Sequence, residues 1–513
     1  MLAPSMDITD DDTVDGNLSP IDYVLQKAED KNPELTDQEN LVNGAALLSS
    51  VGFFDKALEY YSQAYLLLEP LKHEFTWEGL FCRTGISYAT LLDHLNRVDE
   101  AEKIYNEVLE IGPNGTILGD YAIFLHKRRR QYDIAERYYT QSIAELPHQS
   151  SIMLKYAGFM RHIRKNLPKA EKYYKRSIET NPNNADAIGT YASFLHGGGG
   201  SGSGNNNNDL EIIEKLYQRS IELDVNHPNN LCNYGLFLSE EKHDYNKAEM
   251  MYKSSLNITP EHTNTLYNYG VMLDSHLDRK DEAESMYRRA LKISPKQPFA
   301  LYNLAVLLEE KLNKNYESEK EYQIQELNSI YHRAVDANSG DAVTLADYGR
   351  FLITYTQDFN KGEKLLSQAL EIDSSCAVAL YHLGIINHDQ HKNIKNAEKY
   401  FRILRKNHPR HIGGMQYLTV ILRNPSRRGK STDPLDVNTV DELMDLFEQI
   451  IMLMQQSKVD TNNTLLEYTS VTADTGNSRQ KLRAITFMEK NSVSSDGNNT
   501  LIDMDKMAQK LKA

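Results

Sequence analysis

Three asparagines at equal spacing are the residues of this chain that most directly suggest binding chemistry. A side-chain amide can donate and accept a hydrogen bond at once, so a row of amides can hold the backbone of an extended peptide without strict sequence demand. Asn233, Asn268 and Asn303 are separated by 35 residues each. We predict that they form a short peptide-binding row; the alternative is that they are solvated amides on the face of a helix.

Two clusters of basic residues form a second candidate site, which we call the basic edge. The second cluster follows the first by 34 or 35 residues, so equivalent segments would place the two side by side. Cations near helix C-termini commonly face water and complement the helix dipole. The alternative is a docking site for a phosphate or an acidic segment, with the chain's own acidic N-terminal segment as one candidate. The basic edge consists of Lys127, Arg128, Arg129, Arg130, Arg161, Arg164 and Lys165.

Catalytic and metal-binding patterns are weak in this sequence. A group of histidines with one aspartate could suggest a metal, but its members stand near predicted helix ends among polar residues. Nucleophile-elbow, paired-carboxylate, dinucleotide-binding and kinase patterns do not emerge. The sequence therefore predicts a protein that is not an enzyme and that holds no cofactor and no metal. The histidine group consists of His388, Asp389, His391, His408 and His411.

The composition of the 513-residue chain excludes further functional classes. With 40% hydrophobic residues the chain can bury a core, yet no apolar run approaches the roughly 20 residues of a membrane span. The net charge of −15 argues against a nucleic-acid binder, which needs a basic face. Cys82, Cys232 and Cys376 form neither a disulfide framework nor a metal motif, which indicates a reducing compartment, cytoplasmic or alternatively nuclear.

The helices that position these residues can be predicted from a sequence pattern that repeats every 34 to 44 residues. Each copy carries a small or aliphatic residue with an aromatic residue or leucine four positions later, on one face of a helix. The ten copies are Ala57/Tyr61, Ala101/Tyr105, Ala135/Tyr139, Ala170/Tyr174, Ile213/Tyr217, Ala248/Tyr252, Ala283/Tyr287, Leu327/Tyr331, Gly362/Leu366 and Ala397/Phe401. Upstream of each regular copy a second small residue marks another helix, and six copies end in a proline twelve residues after the first small residue.

This pattern of paired helices resembles the tetratricopeptide repeat over residues 41–423. The half-a-tetratricopeptide variant of RNA-processing scaffolds is also similar in places, although the recurrent prolines favour the first family. The resemblance implies an all-α, right-handed α-solenoid superhelix of about ten helical hairpins whose first helices line a concave surface. The asparagine row then resembles the asparagine ladder of O-GlcNAc transferase.

Outside the repeats the sequence changes character. We expect an acidic disordered tail over residues 1–20, the solenoid over 21–423 with a low-complexity loop at 197–208, and a linker over 424–438. The amphipathic stretch 439–458 predicts a helix that caps the solenoid; the alternatives are self-association and binding in a partner's groove. Residues 459–513 are expected to be mostly disordered, with a short helix near Arg479 to Glu489.

These features together predict a non-enzymatic scaffold or adaptor. It would bind an extended or helical, acidic segment of another protein on the concave surface, with charge steering at the basic edge. Two alternatives stay open. The chain could be a subunit of a larger ciliary, RNA-processing or transcriptional assembly, or the regulatory partner of an enzyme on another chain.

Overall fold

The computed structural model describes residues 26–30, 32, 35–199, 207–312, 317–424, 435–457, 462–475 and 477–491. All regular structure in these ranges is helical. The chain divides into two compact units, Met1–Pro260 and Glu261–Ala513, which are described separately. The acidic segment 1–20 lies outside the described residues.

The first unit contains six helical hairpins, α1–α2 to α11–α12. A 3-10 turn, Glu69–Leu71, follows α2, and a π-helical turn, Leu125–Arg129, extends α5. In order, the helices are Asp37–Ser50, Phe54–Leu68, Phe75–His94, Val98–Ile111, Gly115–Phe124, Tyr132–Glu145, Ser150–His162, Leu167–Thr180, Ala185–His196, Asn207–Leu223, Pro228–Glu240 and Tyr245–Ile258.

The second unit contains four further hairpins, α13–α14 to α19–α20, and then four more helices, α21 to α24. A π-helical turn, Leu352–Thr356, extends α17. In order, the helices are Thr263–Ser275, Lys280–Ile293, Pro298–Leu312, Glu317–Ala337, Ala342–Phe351, Phe359–Ile372, Ala377–Asp389, Ile394–Asn407, Ile412–Arg423, Val437–Gln456, Asn462–Thr475 and Ser478–Asn491.

The hairpins form because each second helix buries the repeated pair found in the sequence. All ten pairs, from Ala57/Tyr61 to Ala397/Phe401, are buried, and they lie on the ten second helices α2 to α20. Helix ends follow local rules: Asn184 and Asp244, for example, accept hydrogen bonds from backbone N–H groups of the first turns they precede. The six prolines each stand two residues beyond a helix. The predicted all-α solenoid is confirmed.

Within a hairpin, the turn between the two helices uses a left-handed residue. Seven such positions are occupied by residues other than glycine, with φ between 51° and 62°. The left-handed residue ends the first helix and lets the chain reverse. They are Asn96, Arg130, Lys165, His243, Asp278, Gln357 and Lys392, so two residues of the basic edge are turn residues.

The C-terminal region differs from the expectation. Helix α22 packs against α21 and also against α23, and α24 contacts both α22 and α23. Its predicted apolar face is entirely buried: Val440, Leu443, Phe447, Ile450 and Met454 are at most 9% exposed. Helix α22 is therefore an internal helix of the second unit, and self-association through it would have to unpack this core.

Helix α23 stands where a mostly disordered tail was predicted, whereas α24 covers the short helix expected near Arg479 to Glu489. Tyr468 of α23 is fully buried and donates a hydrogen bond to Glu448 of α22, at 2.7 Å. Ala484 and Met488 of α24 are also buried. In the first unit, α10 already begins at Asn207, inside the predicted loop, whereas residues 200–206 lie outside the described part of the chain, as do 425–434 and 492–513.

Candidate binding surfaces

The first helices of successive hairpins contact one another within each unit and line one surface, which we call the first-helix surface. In the second unit one register position on this surface holds Asn268, Asn303, Asp347 and His382, carried by α13, α15, α17 and α19. All four are partly buried. Asn233 holds the same position on α11 of the first unit and is also partly buried. We call the four residues of the second unit the polar row.

Tyrosines hold the polar row in place. The Asn303 side-chain amide donates to the Tyr267 hydroxyl of the preceding first helix, at 3.3 Å. The Tyr302 hydroxyl donates to a carboxylate oxygen of Asp347 on the following first helix, at 2.8 Å. Because each bond joins two neighbouring hairpins, the orientation of these side chains is fixed by the packing of the repeats.

Exposed apolar side chains flank the polar row. Phe299 and Val306 of α15 are 60% and 41% exposed, and they stand one turn to either side of Asn303. Val343 of α17 is 49% exposed and stands one turn before Asp347. The surface thus combines partly buried polar groups with exposed apolar side chains.

A buried ion pair lies beneath this surface. Glu309 of α15 is 6% exposed and accepts two hydrogen bonds from the Arg350 guanidinium of α17, at 2.6 and 2.8 Å. The Tyr331 hydroxyl donates to the same carboxylate, at 2.8 Å. Burial disfavours the charged guanidinium, but its bonds to Glu309 hold the pKa of Arg350 above the usual range. The charge of Glu309 is therefore neutralised by Arg350 in the interior.

His382 of the polar row is expected to make stability pH-dependent. Burial, followed by the positive charges of Arg350 and His411, lowers its pKa to about 4. Between pH about 6.5 and 4 the unfolded chain holds a proton that the folded chain lacks, so stability falls as pH decreases through this window. From pH about 7 to 5 we expect His382 to contribute a loss of about 1–2 kcal/mol.

The measurement is the midpoint of urea unfolding of the native chain and of His382→Gln, at pH about 7 and at pH about 5. The variant should lose less stability on acidification. The exposed His332→Gln, on a second helix of the same unit, is the control and should behave like the native chain. An equal loss in His382→Gln and the native chain would contradict the assignment.

The structure divides the basic edge into two groups. Arg128, Arg129 and Arg164 form ion pairs with carboxylates of a neighbouring hairpin. Arg129 reaches Asp99 and Glu102, both at 2.5 Å, and Arg164 reaches Asp133 at 2.6 Å and Glu136 at 2.8 Å. These three cations are already paired. Arg130, Lys165, Lys127 and Arg161 form no ion pair with a described residue.

The ion pairs of Arg129 and Arg164 with Glu102 and Glu136 belong to a type of ion pair that recurs between consecutive hairpins. In each case the acid follows directly after the first member of the repeated pair on a second helix, and its partner stands 27 or 28 residues later, near the end of the next first helix. The five pairs are Glu102–Arg129, Glu136–Arg164, Glu214–Lys242, Glu284–Lys311 and Glu363–His391. The paired part of the basic edge therefore joins consecutive hairpins.

The histidine group is not gathered into a metal site. His388 contacts Asp389, His391 contacts Glu363, and His408 contacts the Ser375 carbonyl. In the part of the chain that the structure describes, no three potential metal ligands come together. The same ranges contain no helix with the length and apolar character that a bilayer crossing needs. Cys82, Cys232 and Cys376 are buried and are not joined in disulfides.

The paired helices, the repeated packing pairs and the first-helix surfaces define the chain as an α-solenoid of helical hairpins. The family model of the tetratricopeptide repeat matches residues 263–297, which include α13 and α14. This match identifies a tetratricopeptide repeat at α13 and α14, in agreement with the sequence pattern. No curated protein sequence matches it.

Several solved structures share similarity with the chain. A human IFIT1 dimer with PPP-AAAA is 14% identical, with a TM-score of 0.41, over 88% of this chain and 93% of that one. PilF of Pseudomonas aeruginosa is 18% identical, with a TM-score of 0.38, over 47% and 98%. YrrB, described as a TPR protein with an unusual peptide-binding site, is 20% identical, with a TM-score of 0.30, over 41% and 96%. These three TM-scores lie below 0.5.

Proposed function

We propose that the chain is a non-enzymatic scaffold that binds an extended peptide segment of another protein on the first-helix surface of the second unit. The observation that carries this proposal is the polar row, flanked by the exposed Phe299, Val306 and Val343. The amide and carboxylate groups of the row recur at intervals of 35 to 44 residues, so an extended ligand would contact one of them at each successive hairpin.

The chemistry of the row favours a peptide backbone as the ligand. An asparagine amide offers both donors and an acceptor, which complements the alternating C=O and N–H groups of an extended chain. The exposed valines and Phe299 would contact side chains of the peptide and contribute apolar burial, at about 25 cal/mol per Å². Because Tyr267 already fixes the Asn303 amide, little side-chain entropy is lost on binding.

The partner peptide can be found by selecting displayed peptides on the immobilised full chain. We expect the combined change Asn268→Ala and Asn303→Ala to weaken binding of the selected peptide at least about tenfold. The variant should keep its helical circular dichroism, because both residues lie on the surface rather than in the core. The matched control is Asn360→Ala, which removes an exposed amide from a second helix of the same unit.

Undiminished binding by the double variant would contradict the proposal. Equal weakening by Asn360→Ala would also count against it, since the effect would not then depend on the first-helix surface. If selection yields no peptide while the chain purifies in a fixed complex with large partners, the chain is a subunit of an assembly and not an adaptor for short segments.

A further inference from the structure

One register position on the first helices differs in charge from one hairpin to another. It lies four residues after the small residue of each first helix. In the second unit it holds the acids Asp274 and Glu309. In the first unit three successive hairpins place bases there: His126, Arg161 and His196. We call these three residues the basic layer; burial lowers the pKa of His126 and of His196, so its lasting charge is that of Arg161.

Arg161 is the central member of this layer, and its guanidinium makes few bonds for a partly buried cation. One nitrogen, Nη2, donates to the Ser193 carbonyl of the next first helix, at 3.3 Å. Its carbon Cζ lies 5.5 Å from the centre of the Phe194 ring. No described carboxylate pairs with it, in contrast to Arg128, Arg129 and Arg164. Since a guanidinium has five N–H donors, most of its hydrogen-bonding capacity is left for a ligand.

Further basic residues stand on the helix of Arg161 and on the first helix before it. Burial and then the charge of Lys155 lower the pKa of Lys127. Burial and then the charges of Arg161 and Lys165 lower the pKa of His162. Burial and the neighbouring cations thus both disfavour the charged forms of Lys127 and His162. Lys155 itself has one acidic neighbour, Asp186, at 3.6 Å.

Two buried phenols lie beneath this layer. Tyr174 and Tyr217 are fully buried, and neither hydroxyl has a hydrogen-bond partner among the described residues. Burial raises the pKa of Tyr174, and the nearby Arg161 charge offsets part of the rise. In the preceding hairpin the equivalent hydroxyl, that of Tyr139, is paired with His126 at 3.2 Å. Orphaned buried hydroxyls are uncommon and indicate a missing partner.

We propose that Arg161, together with Lys127, Lys155 and His162 of the same two first helices, forms an anion-binding site that receives carboxylate or phosphoryl side chains of an acidic peptide. A guanidinium binds either group through two parallel N–H donors. The site is separate from the polar row of the second unit and does not depend on the function proposed there.

A peptide fits this site better than a nucleic-acid backbone. A nucleic acid needs many cations in a continuous track, because it carries a phosphate at every nucleotide. Here acids interrupt the track: Asp93 binds Arg128, Asp186 lies beside Lys155, and Asp120 stands one hairpin before Lys155 at the same register position. One or two anionic groups on a flexible peptide can be accommodated, whereas a regular row of phosphates would meet these carboxylates.

The test uses the full chain and a fluorescent twelve-residue peptide with the sequence of residues 5–16, which contains five aspartates. A version with asparagine at all five positions is the ligand control. Fluorescence anisotropy should show binding of the acidic peptide that is lost in the neutral one. We expect Arg161→Met to weaken binding at least about tenfold. Lys127→Gln should weaken it by a smaller factor.

Arg130→Asn is the matched control, because it removes one exposed cation from the same unit and suits a left-handed turn. It should change affinity less than about twofold. Combined Asn268→Ala and Asn303→Ala should leave acidic-peptide binding intact, so failure of this site and failure of the peptide surface can be told apart. Circular dichroism verifies that each variant is folded.

Three results would overturn the proposal. The first is absence of binding by the acidic peptide at millimolar concentration. The second is equal weakening by Arg130→Asn and Arg161→Met, which would make the effect one of net charge. The third is Arg161-dependent binding of a single-stranded RNA homopolymer without binding of the acidic peptide, which would assign the site to a nucleic acid.

Discussion

Replacing Arg350 by methionine is expected to lower the free energy of unfolding of the second unit by about 3–5 kcal/mol, because Glu309 is left as an unpaired buried carboxylate. Methionine keeps much of the aliphatic volume of arginine, so the change removes charge more than packing. The Tyr331 hydroxyl would be the remaining bonding partner of Glu309. Urea denaturation at pH about 7, followed by circular dichroism, measures the loss.

The matched variant adds Glu309→Gln to Arg350→Met. The glutamine amide oxygen can still accept from Tyr331, and no buried charge remains. We expect the double variant to recover more than half of the lost stability, since replacing both members of a buried pair is often nearly neutral. If the double variant is as unstable as the single one, an unpaired charge is not the cause of the loss.

Replacing Phe447 by alanine is expected to destabilise the second unit by about 3–5 kcal/mol. Phe447 is 1% exposed in the core that α22 shares with α21, α23 and α24, and its ring centroid lies 6.0 Å from that of Tyr468. Truncation leaves a cavity that three neighbouring helices can fill only in part. The midpoint of urea unfolding of the full chain reports the effect, together with amide hydrogen exchange in α22 and α23.

Met452→Ala is the control for Phe447→Ala, because Met452 lies on the same helix but is 45% exposed. Its cost should stay below about 1 kcal/mol, as for most surface substitutions. An equally small effect of Phe447→Ala would mean that α22 does not belong to the folded core in solution.

The hairpins could be predicted from the sequence because their packing rule is local. A small or aliphatic residue and an aromatic residue or leucine four positions apart define one face of one helix, and all ten predicted pairs are buried on second helices. The same rule failed for α24, where Ala484 is followed at that distance by Met488 rather than by an aromatic residue. Methionine fills the same space, but it carries too little signal among the Ser, Thr and Asn residues of this region.

The candidate sites were harder to predict because charge pairing is not local. The basic edge looked unpaired in the sequence, yet the acids that neutralise Arg129 and Arg164 lie about 30 residues earlier and are brought close by the packing of hairpins. The partner of Glu309 is similarly distant in the sequence, because Arg350 stands 41 residues later. The distinction between paired cations and Arg161 appears only once the fold is known.

The recurrent pairs from Glu102–Arg129 to Glu363–His391 also bear on how the protein acquires its structure. Each closes a segment of fewer than 30 residues, so the entropy lost on forming it is small. Domains dominated by such short-range contacts fold quickly, and assembly can start at any hairpin and spread to its neighbours. During synthesis, each newly completed hairpin can dock on its predecessor without waiting for the rest of the chain.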